Sequence, residues 1–180
     1  AVIRSGTGDI EIAASGNVLL PESRNAIYSA GRLVTDVPAF AKVTGGRGGS
    51  GSSPVFTTDG GSVNVHADGD VLAAAGPLSP SQWLWRQGAV VRTRVTESPA
   101  YWVEFANVAQ VIGALGGGDV SVTAGGNLVD LAVAVPQTGV ATTSEGVKTW
   151  GGGTLNVMAG GDLVRGDYLL GAGDGTIRVD

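Results

Sequence analysis

Aspartates recur beside glycine along this chain, and they are the first candidates for chemistry. Each directly follows a glycine at a predicted turn: Asp9, Asp70, Asp119, Asp162 and Asp174. Carboxylate oxygens are ligands that Ca²⁺ prefers. A calcium-binding repeat of the Gly-Gly-x-Gly-x-Asp type recurs in tandem about every nine residues, whereas these Gly-Asp pairs are far apart and in another phase. We therefore expect the aspartates to cap turns, and we predict no metal and no cofactor.

Residues for nucleophilic or acid–base catalysis are scarce. The chain has one histidine, His66, and no cysteine, so neither a histidine-based triad nor a Cys/His zinc site is indicated. A sugar-cleaving site needs two carboxylates on one face, but Glu11 is the one acidic residue at the outward strand positions described below. The sequence favours a protein that is not an enzyme, with His66 exposed.

The segment 45–53 consists of glycine, serine and one arginine, which is typical of a flexible loop. A phosphate-binding loop would need Gly-Lys-Ser/Thr before a helix, and no lysine is present here.

Composition indicates short strands joined by tight turns. Glycine accounts for 31 of 180 residues, hydrophobic residues for 43% and aromatic residues for 6%. The net charge of −5 disfavours nucleic acid or an anionic membrane as a partner. The chain opens and closes in strand-like patterns, so we expect a single segment, residues 1–180, of something longer.

A Gly-rich unit of two short strands repeats along the chain. It comprises a Gly-containing turn, an alternating strand, a small-x-Gly-Asn/Asp turn and a second apolar strand. Five units align, with strands starting at Ile10, Val63, Val120, Leu155 and Ile177.

Because strand side chains alternate with period 2, Ile10, Val63 and Val120 should face a core, together with the residue two positions after each of them. The outward positions between them are Glu11, Asn64, Ser121, Asn156 and Arg178. The second turns contain Gly16, Gly69, Gly126 and Gly161, which we expect to have positive φ.

Successive units are 53, 57, 35 and 22 residues apart. A unit of this size cannot bury its apolar face alone and must stack on its neighbours. The pattern predicts an all-β fold, a parallel β-helix (β-solenoid) with loop and short-helix excursions. A β-sandwich with Gly-rich hairpins is the alternative.

Residues 78–115 form the predicted aromatic, partly helical excursion. Ser79 to Gln82 has the form of a helix start, and Tyr101, Phe105, Val108, Ile112 and Leu115 recur at helical spacing. The aromatic residues either seal the stack or form a binding surface. The candidate binding residues are Trp83, Trp85, Tyr101 and Trp102.

The repeat Gly-Gly-x-Leu/Val-x-Val-x-Ala-Gly-Gly-Asn/Asp-Leu resembles the shaft repeats of filamentous haemagglutinin-type exoproteins of Gram-negative bacteria. Residues 101–127, in which Tyr101-Trp102 precedes Gly113-Ala114-Leu115-Gly116-Gly117-Gly118, resemble a C-terminal-half region of that family. The Asn-Pro-containing motifs of the family's secretion domain do not occur in these 180 residues.

This resemblance implies a structural and adhesive segment of a large secreted adhesin. The implied partners are the outer-membrane transporter of a two-partner secretion system and a host-cell, matrix or glycan receptor, at the bacterial cell surface. Unpaired strand edges at the two ends could also pair with another copy. The alternatives are the stalk of a contact-dependent growth-inhibition toxin delivery protein and a carbohydrate-active β-helix.

Overall fold

The computed structural model describes residues 1–37, 54–76, 80–88, 90–92, 95–97, 99–142 and 146–180. Strands account for 56% and helices for 3%, so the chain is nearly all β. The predicted loop at 45–53 lies outside the described residues. Within them, no helix is both long and apolar enough to cross a membrane.

The strands of the described residues, in chain order, are β1 (Val2–Ser5), β2 (Ile10–Ala14), β3 (Val18–Leu20), β4 (Ala26–Ser29), β5 (Arg32–Leu33), β6 (Thr57–Thr58), β7 (Val63–Ala67), β8 (Val71–Ala73), β9 (Leu84–Gln87), β10 (Val90–Arg92), β11 (Val95–Glu97), β12 (Ala100–Val103), β13 (Val111–Ala114), β14 (Val120–Ala124), β15 (Leu128–Val135), β16 (Gln137–Thr142), β17 (Gly146–Gly151), β18 (Leu155–Ala159), β19 (Leu163–Leu170) and β20 (Gly175–Val179). Two 3₁₀ turns span Pro80–Gln82 and Phe105–Asn107.

The first strand of every repeat unit belongs to one parallel sheet. Its order, β2-β7-β14-β18-β20, is the order along the chain. Ile10, Val63, Val120 and Leu155 lie opposite one another in register and are buried. The unit alignment is therefore confirmed for the first four units, because each strand places the same positions against the same core.

The fifth unit is correctly identified but aligned two residues out of register. Gly175, not Ile177, lies opposite Leu155, and Ile177 lies opposite Val157. A β-carbon at Gly175 would lie 3.1 Å from Cδ2 of Leu170. Leu170 thus fills the space that an inward side chain occupies in the other units.

A second parallel sheet contains a third strand that the sequence analysis did not find. The predicted second strands pair as β3-β8-β15-β19 through Val18, Val71, Leu128 and Leu163. β15 turns at Asp130 and β19 turns at Arg165, and both strands then continue. Their later parts pair with each other and form the third strand of their units, in one ladder with β13, β4 and β1. Side chains from both sheets share one core.

Polar side chains link successive units at the second turn. Asn17 Oδ1 accepts the Asp70 N–H (2.8 Å), Asp70 Oδ1 accepts the Asn127 N–H (2.6 Å), and Asn127 Oδ1 accepts the Asp162 N–H (2.7 Å). We call these four residues the Asn/Asp ladder. Asp70 therefore caps the backbone of the neighbouring unit rather than its own turn.

The turn glycines have a different role from the one expected. Gly16, Gly69, Gly126 and Gly161 do not have positive φ, so that prediction is wrong. A β-carbon at Gly126 would overlap Asp70 Oδ1, and one at Gly69 would overlap Asn17 Oδ1. Glycine is required at these later units because the ladder side chain below occupies the space.

The first turn has a similar arrangement. Asp9 Oδ1 accepts the Ser62 N–H, and Asp119 Oδ1 accepts the Thr154 N–H, each at 2.7 Å. Between them, Ser62 Oγ accepts the Asp119 N–H at 3.3 Å. Both turns are thus held in register by side-chain oxygens.

The predicted helix from Tyr101 to Leu115 is wrong. This stretch forms β12, a 3₁₀ turn and β13. Ile112 packs in the main core, whereas Phe105, Val108 and Leu115 pack in a second cluster. The apolar residues therefore face two different cores from an extended chain and not one core from a helix. The excursion also ends earlier than predicted, because Val111–Ala114 belongs to the second parallel sheet. The helix expected from Ser79 amounts to one 3₁₀ turn among its described residues.

We predict that replacing Gly126 with alanine destabilises the protein. The added methyl group displaces Asp70 Oδ1 and breaks its hydrogen bond to the Asn127 N–H. The expected loss is about 1–3 kcal/mol of unfolding free energy, measured by chemical denaturation.

Gly16→Ala is the matched control, because Gly16 has the same turn position and nothing lies within 4 Å of an added β-carbon. Little change is expected there. Combining Gly126→Ala with Asp70→Ala should cost less than the sum of the two single changes. Equal effects of the two glycine variants would contradict this role of the ladder.

Candidate functional site

A four-stranded antiparallel sheet lies outside the two parallel sheets, in the order β17-β16-β12-β9. We call it the outer sheet. β9 and β12 come from the segment between β8 and β13, whereas β16 and β17 come from the segment between β15 and β18. The two segments join where β12 pairs with β16, Tyr101 opposite Gly139.

The outer sheet covers apolar surface on two sides. Trp102, Phe56 and Val140 form a separate core with Trp85 and Trp150 at its edge. Trp83 and Val103 pack instead against the outward face of the second parallel sheet, in a cluster that includes Tyr28 and Val111. The segment between β8 and β13, which contains β9 and β12, is therefore held by apolar contacts on both sides.

The four predicted aromatic site residues divide into two pairs. Trp83 and Trp102 are 3% and 1% exposed, so they seal the packed layers and offer no surface to a partner. Trp85 and Tyr101 are half-buried. Trp85 packs edge-on against Trp102, with ring centroids 6.2 Å apart, and its indole N–H donates to the Gln82 carbonyl at 3.1 Å.

The Tyr101 side chain crosses the neighbouring strand at Gly139. A β-carbon at Gly139 would lie 3.0 Å from the Tyr101 hydroxyl oxygen. That hydroxyl donates to Gln137 Oε1 at 3.3 Å. Because Gly139 has no side chain, the phenol can extend over the neighbouring strand and reach Gln137.

A pocket of about 420 Å³ opens beside these two aromatic residues. Leu84, Pro99 and Val147 contribute apolar walls, and Arg86 is exposed at its side. Arg86 lies directly opposite Tyr101 on the neighbouring strand. Tryptophan, tyrosine and arginine are the residue types that contribute most binding energy at protein interfaces. The arrangement can therefore bind a group that offers apolar surface and accepts hydrogen bonds.

His66 is exposed, as expected from its outward position, and its Nε2 lies 3.0 Å from Asp68 Oδ1. Glu11 is likewise exposed, opposite Asn64 of the next strand. Among the described residues, no three His, Asp or Glu side chains are grouped so that they could hold a metal ion.

An ion pair that the sequence analysis missed joins two units where β15 and β19 turn. Arg165 Nε donates to Asp130 Oδ1 at 2.7 Å and Nη2 donates to Oδ2 at 2.9 Å. Both residues have positive φ, 55° and 46°. The guanidinium hydrogen bonds lower the pKa of Asp130, although burial opposes the shift, and the same pair raises the pKa of Arg165.

The Asp130–Arg165 pair has a structural role and does not provide a free acid or base, because Arg165 donates hydrogen bonds to both carboxylate oxygens of Asp130. The alignment of the repeat units could have predicted this ion pair. Asp130 and Arg165 occupy the same position in successive units, two residues after Leu128 and Leu163. Burial also raises the pKa of the Tyr168 hydroxyl.

Comparison of the chain with protein-family models, with curated protein sequences and with solved structures returns no match.

We predict that the Asp130–Arg165 pair makes stability depend on pH on the acid side. A carboxyl group whose folded pKa is lower than its unfolded value, near 3.9, stabilises the fold above that value and loses the contribution as pH falls through the folded pKa. Arg165→Gln should therefore reduce the unfolding free energy at pH 7, and its difference from wild type should shrink below about pH 4. Denaturation curves from pH 2 to 7 measure this.

The control is Arg178→Gln, which breaks an exposed pair with Asp180. It should change the unfolding free energy little at any of these pH values. A difference between wild type and Arg165→Gln that does not shrink in acid would contradict the assignment.

Proposed function

We propose that this chain is a segment of a parallel β-solenoid that acts as a structural and adhesive part of a large secreted bacterial adhesin, and not as an enzyme. Each coil would contain three strands, one from the first parallel sheet and two from the second. Successive coils would rise by one strand spacing, about 4.8 Å.

The observation that supports this proposal best is the separation of the molecule into a repeated stack and an outer sheet. In the stack, equivalent strands pair in chain order and equivalent turns are bonded to one another. Two of the segments that interrupt the repeat, those between β8 and β13 and between β15 and β18, share the outer sheet and form the pocket beside Trp85 and Tyr101. Such a stack is suited to holding a contact surface at a distance.

The resemblance of the repeat to filamentous haemagglutinin-type shafts supports the same proposal. On that basis we propose secretion through an outer-membrane transporter and an extracellular, cell-surface location. The partner at the pocket would be a host-cell, matrix or glycan receptor, and Arg86 with Tyr101 would provide most of the contact.

We predict that Tyr101→Ala combined with Arg86→Gln weakens attachment of the purified chain to its target cells or matrix. A loss of about tenfold or more is expected, because an interface aromatic of this kind contributes on the order of 2 kcal/mol. Attachment of beads that carry the chain measures it, with circular dichroism to verify the fold.

Tyr101→Phe keeps the ring and should retain most of the attachment, and Arg178→Gln changes an exposed arginine of β20, outside the outer sheet. Unchanged attachment of the folded double variant would remove the pocket as the contact surface. A stalk that only carries a toxin needs no contact of its own, so wild-type protein that attaches to nothing would favour that alternative.

A further inference from the structure

β9 forms an open edge of the outer sheet. Among the described residues it pairs with β12 and with no other strand. β10 and β11 continue the hairpin of β9 and β12 in the same register, so β10 extends this edge. The hairpin lies in the middle of the chain, between β8 and β13. An unpaired strand edge is a template for another strand.

The main-chain groups of Leu84 and Arg86 face this open edge. The Glu104 N–H donates to the Trp83 carbonyl at 2.7 Å, directly next to the paired residues of β9 and β12. Hydrogen-bonded and non-hydrogen-bonded pairs alternate along an antiparallel ladder. Every second residue of β9 is therefore bonded to β12, and Leu84 and Arg86 are the residues in between. Their N–H and C=O groups point to where a further strand would lie.

The pocket beside Tyr101 is open toward the same edge. Ala141 lies opposite Val147 and its N–H donates to the Pro99 carbonyl at 2.8 Å, so these three pocket residues form one row across the sheet. Gly88 follows β9 and continues that row, because it is next in register opposite Pro99. A β-carbon at Gly88 would have nothing within 4 Å, and Val147 is 65% exposed. The row therefore has an apolar floor and no wall on the β9 side.

Arg86 places a positive charge without an ion pair at this edge. Its side chain is exposed, and it has no acidic partner within the described part of the chain. By contrast, Arg32, Arg165 and Arg178 each donate to an aspartate. Arg86 lies two residues before Gly88, on the same face of the strand. A carboxylate on an added strand could therefore pair with Arg86 at the side of the pocket.

We propose that an extended peptide segment of a partner protein adds to β9 as a fifth strand of the outer sheet. Its main chain bonds to the N–H and C=O groups of Leu84 and Arg86. On the pocket side, an Asp or Glu of the peptide lies beside Arg86. Two positions away, on the same face, a large apolar side chain crosses Gly88 and packs on Pro99 and Ala141. The recognised motif is therefore acidic-x-apolar, in either direction according to how the added strand runs.

An extended peptide is the occupant because this surface combines main-chain groups, an apolar pocket and a cation at the spacing of a strand. In strand addition, main-chain hydrogen bonds provide affinity and pockets for alternate side chains provide specificity. A sugar has no main-chain ladder with which to satisfy the groups of Leu84 and Arg86. The inference rests on the proposed function, which assigns the contact to the outer sheet, and it names the class of partner as a protein receptor.

Fluorescence anisotropy with a labelled peptide tests the motif. The probe is Thr-Glu-Val-Phe-Val-Glu-Thr, which carries the motif in both directions, titrated with the full chain. We expect saturable binding, and about tenfold or more weaker binding of Thr-Lys-Val-Phe-Val-Lys-Thr, because its lysines would lie beside Arg86. Absence of saturable binding of the glutamate peptide up to about 1 mM, or equal binding of the two peptides, would overturn the proposal.

A matched pair of glycine variants tests the entrance to the pocket. Gly88→Val closes the entrance and should weaken binding of the glutamate peptide about tenfold or more. Gly16→Val is the control, because an added β-carbon there also has nothing within 4 Å and Gly16 lies in a turn of the stack. Circular dichroism verifies that both variants fold. Equal binding by the two variants would contradict the position given to the apolar side chain.

Amide exchange measured by NMR distinguishes strand addition from binding in the pocket alone. The Leu84 and Arg86 N–H groups should exchange rapidly in the free chain and about tenfold or more slowly once the glutamate peptide is bound. The Trp85 and Gln87 N–H groups, which face β12, should be protected in both states. Peptide binding that leaves the exchange of Leu84 and Arg86 unchanged would overturn strand addition.

The attachment measurement separates this inference from the proposed function. Attachment that is lost in the Tyr101→Ala, Arg86→Gln double variant, from a wild-type chain that binds heparin fragments but no peptide, would overturn the peptide partner and leave the adhesive function standing. Peptide binding with the expected exchange pattern, in a chain that attaches to no cell or matrix, would support strand addition and remove the adhesive function instead.

Discussion

Pairing in register between successive units is the constraint on which the rest of the structure depends. Parallel strands one spacing apart bring equivalent residues of neighbouring units directly together, so each position must suit its own copy above and below. Inward columns therefore contain Val, Leu and Ile, and the columns at the strand ends contain alanine, as at Ala67 and Ala124. At the second turn, a side-chain oxygen from one unit occupies the space above it, which leaves room only for glycine in the next unit.

Interruptions of the repeat are tolerated because they leave from the corners between strands. A segment that departs after β8 and returns at β13 does not disturb the pairing of either strand. Its apolar residues still require burial, and the outward face of the second parallel sheet provides the surface through Tyr28 and Val111. Two segments far apart in sequence then share one antiparallel sheet, since both leave the stack on the same side.

The stack and the outer sheet depend on different contacts. In the stack, backbone hydrogen bonds run along the direction in which units are added, so each unit is bonded to the next. The outer sheet has side chains such as Arg86 and Trp85 that the stack does not require for its own packing. Under the proposed function, variation in these segments would change what the protein contacts, while the repeat and its polar ladder remain the same.

The sequence by itself determined the units, their inward residues and the parallel all-β class, because period-2 alternation and the Gly-Asn/Asp turns are local signals. It left open whether the aromatic residues seal the stack or form a binding surface. In the structure Trp83 packs against the second parallel sheet, whereas Trp102 lies in the separate core of the outer sheet. Only the tertiary structure revealed the third strand: β4 and β13 are buried on both faces, so they do not alternate, and the latter resembled part of a helix. The register of β20, the function of Gly126 and the Asp130–Arg165 pair likewise depend on which residue lies in the neighbouring unit. The pocket joins β9, β12, β16 and β17, whose proximity no local pattern encodes.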